Sequence, residues 1–289
     1  MQAELLFDVK ATLGEGPVWD AKTQTLYWID IRDRTIHAGA DVLVELEEFV
    51  GCIAPRQNGG LIFTQRYSFW TLDHAPGQPD SVRTALALDL KHEPRNNRFN
   101  DGKCDPRGRF LAGTMDMGEK DPVGSLYSFD GESVTKLLGN ITISNGMAWS
   151  PDHKTFFYID TPTRQVRAFD YDLDSGGIAN ARIVISVPES LGWPDGMTSD
   201  MQGNLWIAMW GGAQVTKWDP RTGHLLEQIP IPAKNVSSCV FGGTDMNELY
   251  LTSARVGLDE GALQQYPLTG GVFRLQTGVE GMPTFAFTG

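Results

Sequence analysis

The chain repeats one pattern six times: a short apolar run, a polar turn, and a second apolar run. The segments are EGPVWDAKTQTLYWIDI from Glu15, IAPRQNGGLIFTQ from Ile53, and DGKCDPRGRFLAGTM from Asp101. They continue with NGMAWSPDHKTFFYIDT from Asn145, DGMTSDMQGNLWIAMW from Asp195, and SCVFGGTDMNELYLTSA from Ser238. Asp, Gly, Asn and Pro dominate the turns, as tight hairpins require. A third apolar run follows each hairpin, as in SLYSFD from Ser125, QVRAFD from Gln165 and QVTKWD from Gln214. Further strand-like runs, SVRTALALDL and ARIVISV, lie between these and the next hairpin. No stretch keeps a helical apolar period, so very little helix is expected.

Six units of four short strands predict an all-β fold, a six-bladed β-propeller around a central channel. Radial packing covers the faces that a lone four-stranded sheet would expose. A seven-bladed ring with one degenerate blade is the alternative, but six hairpins are present. The whole chain, 1–289, reads as a single propeller domain. The N-terminal ELLFDV can close the ring as outer strand of the final blade, after GVFRL and PTFAFT.

The first position of each repeat should sit at the entrance of an inner strand and point toward the channel mouth. These positions are Glu15, Ile53, Asp101, Asn145, Asp195 and Ser238. Pro194-Asp195-Gly196 alone is turn chemistry. Set beside Glu15 and Asn145, each also followed by Gly, Asp195 becomes one of several oxygen donors gathered from separate blades. Carboxylates brought close without a counter-charge repel, and a divalent cation relieves that repulsion. Oxygen donors suit Ca²⁺, Mg²⁺, Mn²⁺, Zn²⁺ or Fe²⁺. Three protein ligands would leave positions open for water and substrate. The competing reading is that these residues only satisfy turn backbones. In NNRFNDG, Arg98 and Asn100 supply donors and acceptors at the same rim, suited to a polyhydroxylated ligand.

Composition narrows the partners. With 24 Lys and Arg against 36 Asp and Glu, the formal net charge is −12, which disfavours nucleic acid and anionic membrane surfaces. No apolar run is long enough to span a membrane, and the N-terminal stretch lacks the features of a signal peptide. A cytoplasmic monomer is expected. The three cysteines, Cys52, Cys104 and Cys239, have no CxxC spacing, so neither a disulfide framework nor a zinc site is expected. The five histidines, His74 among them, show no metalloprotease spacing. No GxSxG elbow and no phosphate-cradling glycine loop are present.

LGEGPVWD, RFNDGKCDPRGRFLAGTM, SNGMAWSPDHKTFFYIDT, PDGMTSDMQGNLWIAMWGG and TSARVGLDEGALQQYPLTGGVF occur in that order. In this set the chain resembles the senescence-marker-protein/regucalcin/gluconolactonase family over nearly its whole length. In the loop after GTM it is most similar to bacterial sugar-acid lactonases, the gluconolactonases, xylonolactonases and arabinonolactonases. The resemblance implies a six-bladed propeller with one divalent metal, Ca, Zn, Mn, Mg or Fe(II), held by Glu15, Asn145 and Asp195. It implies that Asp195 doubles as general base, that Arg98 and Asn100 bind substrate, and that Asp101 lies close behind the metal. Animal regucalcin-like members carry a further acidic contact in that loop, for which Asp116 or Glu119 could substitute. The implied reaction is hydrolysis of a small sugar lactone, an aldonolactone such as gluconolactone or a pentonolactone. Alternatives are another metal-dependent propeller esterase or organophosphate hydrolase, or a non-enzymatic Ca-binding propeller.

Overall fold

A computed structural model of the chain describes residues 1–73, 82–90 and 92–289, with backbone alone at 82–83 and 87–89. His74 lies outside the described residues. The strands form six four-stranded antiparallel sheets, five of them in sequence order from channel to periphery and the sixth completed by the first strand of the chain. Their inner strands are Gly14–Asp20, Val50–Pro55, Asn97–Cys104, Ser144–Trp149, Trp193–Ser199 and Asn235–Gly242 for blades one to six. Each inner strand touches the next, and the sixth touches the first, so the ring closes. The fold is a six-bladed β-propeller, and among the described residues the one α-helix is Glu260–Gln265.

Blade six takes its outer strand, Glu4–Phe7, from the start of the chain, paired with Val272–Gln276. Arg274 Nη2 bonds Glu4 Oε2 at 2.9 Å across that seam. Pro283–Thr288 does not join the blade. Gly281 bridges Asp200 of blade five, Phe285 meets Trp149 of blade four, and Phe287 pairs with Arg56 of blade two. This strap crosses the channel end opposite the candidate site described below. The reason is its apolar side chains: Phe287 is 1% exposed and stacks on Phe129 at 5.5 Å. Such burial is available between blade ends and not on an already paired edge.

Aromatic contacts fill the clefts between blades. Phe69 packs on Phe99, Phe110 and Phe129, Trp206 on Phe241, and Trp19 stacks on Tyr250. The last pair joins blade one to blade six.

Every inner strand carries one extra residue relative to its partner. The register slips between Glu15 and Val18, Val50 and Ile53, and Phe99 and Asp101. It slips again between Ser144 and Met147, Pro194 and Met197, and Val236 and Ser238. A β-bulge turns side chains out of the regular alternation, and here the channel lies on that side. Pro194-Asp195-Gly196 is therefore a bulge inside a strand rather than a turn, and Gly196 is not among the positive-φ glycines. Its need for glycine is proximity: a Cβ there would overlap Ser238 of the next inner strand. At Gly146 a Cβ would lie 2.7 Å from the Asp195 carbonyl oxygen.

Candidate active site

The bulges decide which side chains reach the mouth. A pocket of about 390 Å³ opens at this end of the channel. Glu15, Arg98, Asn100, Asn145 and Asp195 line it, and all are at least nine-tenths buried. Glu119, on the loop after the second strand of blade three, lines it from an exposed position. Asp116 is not in the lining; its Oδ1 accepts from Asn96 Nδ2 at 2.5 Å.

The six repeat positions do not share one level, contrary to the expectation from their alignment. Ile53 lines a small cavity of about 30 Å³ at the opposite end, beneath the strap. Its bulge precedes it, so Ile53 falls deeper along its strand than Asn145 or Asp195 do along theirs. Ser238 follows its bulge in the same way and lines neither space. In blade three the slip falls before Asp101, so Arg98 and Asn100 reach the pocket and Asp101 is buried behind it.

The floor gathers carboxyl groups out of water. Glu15 Oε2, Asp101 Oδ1 and an Asp195 oxygen each accept the backbone N–H of the following glycine. Burial pushes Glu15 up to about 8, with Asp101 repelling it and the Gly16 N–H and Arg98 opposing. Burial, then Glu15, then Asp101 push Asp195 well above the usual carboxylate range. Asp195 Oδ1 is buried and has no hydrogen-bond partner. Asp101 is raised less freely, because Lys103 faces it from two residues on. Lys103 is half-buried, and its Nζ donates to the Met197 carbonyl at 2.8 Å.

A one-way chain of hydrogen bonds runs along the pocket wall. Arg98 Nη1 donates to the Phe99 carbonyl at 2.9 Å and to Asn100 Oδ1 at 2.7 Å. Asn100 Nδ2 donates to the Ser144 carbonyl at 2.8 Å and to Asn145 Oδ1 at 3.1 Å. Asn145 Nδ2 donates to Thr161 Oγ1 at 2.7 Å, and Thr161 Oγ1 donates to the Pro194 carbonyl at 2.8 Å. A guanidinium only donates and a hydroxyl has one proton, so the direction is imposed from both ends. Asn100 is engaged on both sides, and one lone pair on Oδ1 remains for a ligand. Burial pushes the Arg98 guanidinium down to about 10, helped by Arg32 and opposed by Glu119 and Glu15. It stays a cation at neutral pH.

Among the described residues no three His, Cys, Asp or Glu side chains form a metal cluster by themselves. The buried carboxylates and amides on the pocket wall are Glu15, Asp195, Asn100 and Asn145. A family model for the SMP-30/Gluconolactonase/LRE-like region matches residues 13–255. The chain belongs to this family. It is 38% identical to regucalcin of Danio rerio over 298 residues, covering 100% of this chain and 99% of that one. In structure it is similar to a luciferin-regenerating enzyme, with a TM-score of 0.91, 32% identity and 99% of each chain covered. It is also similar to a calcium-binding protein, regucalcin, from Agrobacterium tumefaciens. There the TM-score is 0.89 and the identity 29%, over 98% of this chain and 96% of that one.

Thr161, Trp193, Trp210 and Arg32 also line the pocket and were not singled out in the sequence. Strand alternation offered a signal for Trp193, two residues before Asp195, and for Lys103, two after Asp101. Thr161 had none, because its partner Pro194 belongs to another blade. Among the described residues no helix is long and apolar enough to cross a membrane.

Proposed function

We infer that this chain is a metal-dependent lactonase that opens sugar-acid lactones to their aldonic acids. The observation that carries the reading is Asp195 Oδ1, buried and unpartnered beside a second buried carboxylate, Glu15. Two such groups are comfortable as anions only beside a cation. The Asn145 amide oxygen, held by its neighbours, is the third donor. This set fits a hard or borderline divalent ion, held by Glu15, Asn145 and Asp195. When bound, the ion supplies positive charge against the negative charge that builds on the lactone carbonyl oxygen.

The chain's own groups supply the rest. Arg98 presents N–H groups beyond those engaged by Phe99 and Asn100, and these orient the sugar hydroxyls. Asp195 Oδ1 takes a proton from water as the water oxygen adds to the carbonyl carbon. The ring C–O bond then breaks, and the departing ring oxygen takes back the proton held by Asp195 and leaves as a hydroxyl of the acid, which restores the Asp195 carboxylate. Glu119 is a candidate for a further hydroxyl contact, and Asp101, balanced by Lys103, supports the floor from behind.

The test is to strip the protein with a chelator and restore Ca²⁺, Zn²⁺, Mn²⁺, Mg²⁺ and Fe²⁺ singly. Hydrolysis of gluconolactone, xylonolactone and arabinonolactone is assayed at each step. Turnover that returns with one ion and is lost in Asp195→Ala supports the reading. An ion that binds tightly with no lactone turned over makes the chain a non-catalytic cation-binding propeller. An active, metal-replete Asp195→Ala protein removes Asp195 from the mechanism.

A further inference from the structure

The pocket rim has two characters. Over blades one to three its exposed residues are charged, Arg32 and Glu119. Over blades four to six its exposed and half-buried residues are Pro162, Trp193, Trp210 and Val256, all apolar or aromatic. The two tryptophans are direct cross-strand partners at the end of blade five. Trp193 is 41% exposed, with Trp210, Pro162 and Val256 continuing the apolar rim.

Its orientation is not left to solvent. The Arg164 guanidinium carbon lies 3.5 Å from the Trp193 ring centroid, and Arg164 Nη1 donates to the Gly192 carbonyl at 2.7 Å. A cation over one face of an indole holds the ring at a set angle and occupies that face. Trp193 lines the pocket, two residues from Asp195.

We propose that Trp193, with Trp210 beside it, is a specificity-determining platform on which the substrate ring lays its C–H face. A sugar lactone has an edge of hydroxyls and flat faces where C–H bonds gather. The hydroxyl edge turns to Arg98, Arg32 and Glu119, and a C–H face meets the indole. A hydroxyl turned onto that face would push the ring off the indole and lose its own water. The platform therefore favours rings whose substituents lie near the ring plane over epimers with one hydroxyl turned onto the stacked face. This rests on the lactonase reading for the identity of the ring.

The test uses two readouts on the metal-loaded protein: calorimetric binding of a sugar lactam, whose ring amide resists hydrolysis, and kcat and KM for pairs of epimeric lactones. Trp193→Ala should weaken lactam binding and raise KM by about 3- to 10-fold, the range of an aromatic stack. kcat should move less than about twofold, the epimer preference should shrink, and Trp193→Phe should keep much of it. Arg164→Ala should show a smaller loss in the same direction. Lactam affinity and epimer ratio unchanged in Trp193→Ala overturn the platform while leaving the lactonase reading intact. Trp193-dependent lactam binding with no lactone turned over keeps the platform and sinks the lactonase reading. Neither binding nor turnover in the parent protein overturns both.

Discussion

Thr161 and Asn145 share a hydrogen bond that can run in one direction only. Thr161 gives its single proton to the Pro194 carbonyl, so it must accept from Asn145 Nδ2. The amide oxygen of Asn145 is thereby turned to the side of the pocket where Asn100 also meets it. Thr161→Val keeps the shape and removes the acceptor, leaving the amide free to rotate. The expected result is a loss of about 10- to 100-fold in divalent-metal affinity by titration calorimetry. Thr161→Ser should bind as the parent does. Equal affinity in the valine variant would show that Asn145 needs no such guide.

Burial and mutual repulsion resist ionisation of Glu15 and Asp195 in the metal-free protein. Glu15→Gln removes the ionisable group and keeps the volume. In chelator at neutral pH this variant should melt at or above the parent temperature, because a carboxyl that ionises freely in the unfolded chain and not in the folded one costs the fold stability above its ordinary range. Added divalent ion should raise the parent's melting temperature and leave the variant's nearly unchanged. A variant stabilised by the ion as strongly as the parent would take Glu15 out of the ligand set.

His37 gives the fold an acid-sensitive point away from the site. Its ring stacks on Trp28 at 3.8 Å, one ring nitrogen meets Thr35 Oγ1 at 2.8 Å, and Nδ1 has no partner. Burial pushes it down to about 4, with Asp33 opposing. Between about 4 and the ordinary 6.5 the unfolded chain takes up this proton and the folded one does not. This contribution to stability is intact above 6.5 and is lost as pH falls toward 4. Urea unfolding at pH 7.5 and pH 5 should show a smaller pH difference in His37→Gln than in the parent. An equal difference would assign the acid sensitivity elsewhere.

The strap is anchored chiefly by Phe287. Besides its stack on Phe129, its backbone N–H donates to the Pro55 carbonyl and its carbonyl accepts from Gln57 N, both at 2.8 Å. Phe287→Ala empties a buried aromatic site and should cost about 3–5 kcal/mol in urea unfolding. A loss under about 1 kcal/mol would mean that the strap unfolds separately from the blades.

The blades were readable in the sequence because hairpin turns and strand alternation are local. NGMAWSPDHKTFFYID announces two strands and their turn without reference to any other residue. The donors Glu15, Asn145, Asp195, Arg98 and Asn100, now seen around one pocket, were legible for the same reason: each begins or precedes a repeat. The level of each donor along the channel was not legible. It depends on where a bulge falls, and a bulge is a property of a pair of strands. This is why Ile53 and Ser238 were aligned with Asp195 yet lie elsewhere, and why Pro194-Asp195-Gly196 looked like a turn. Thr161 and Arg164 take their roles from partners in the next blade's bulge region, Pro194 and Trp193, which no local pattern displays.

The strap also bears on traffic. Among the described residues the Gly281–Thr288 segment lies over the far end, and the pocket opens past Trp193 and Arg32. Arrival and departure through this mouth share one doorway. A bound molecule that lingers there keeps the next one waiting outside, so residues at the rim can set the pace of the site without touching its chemistry.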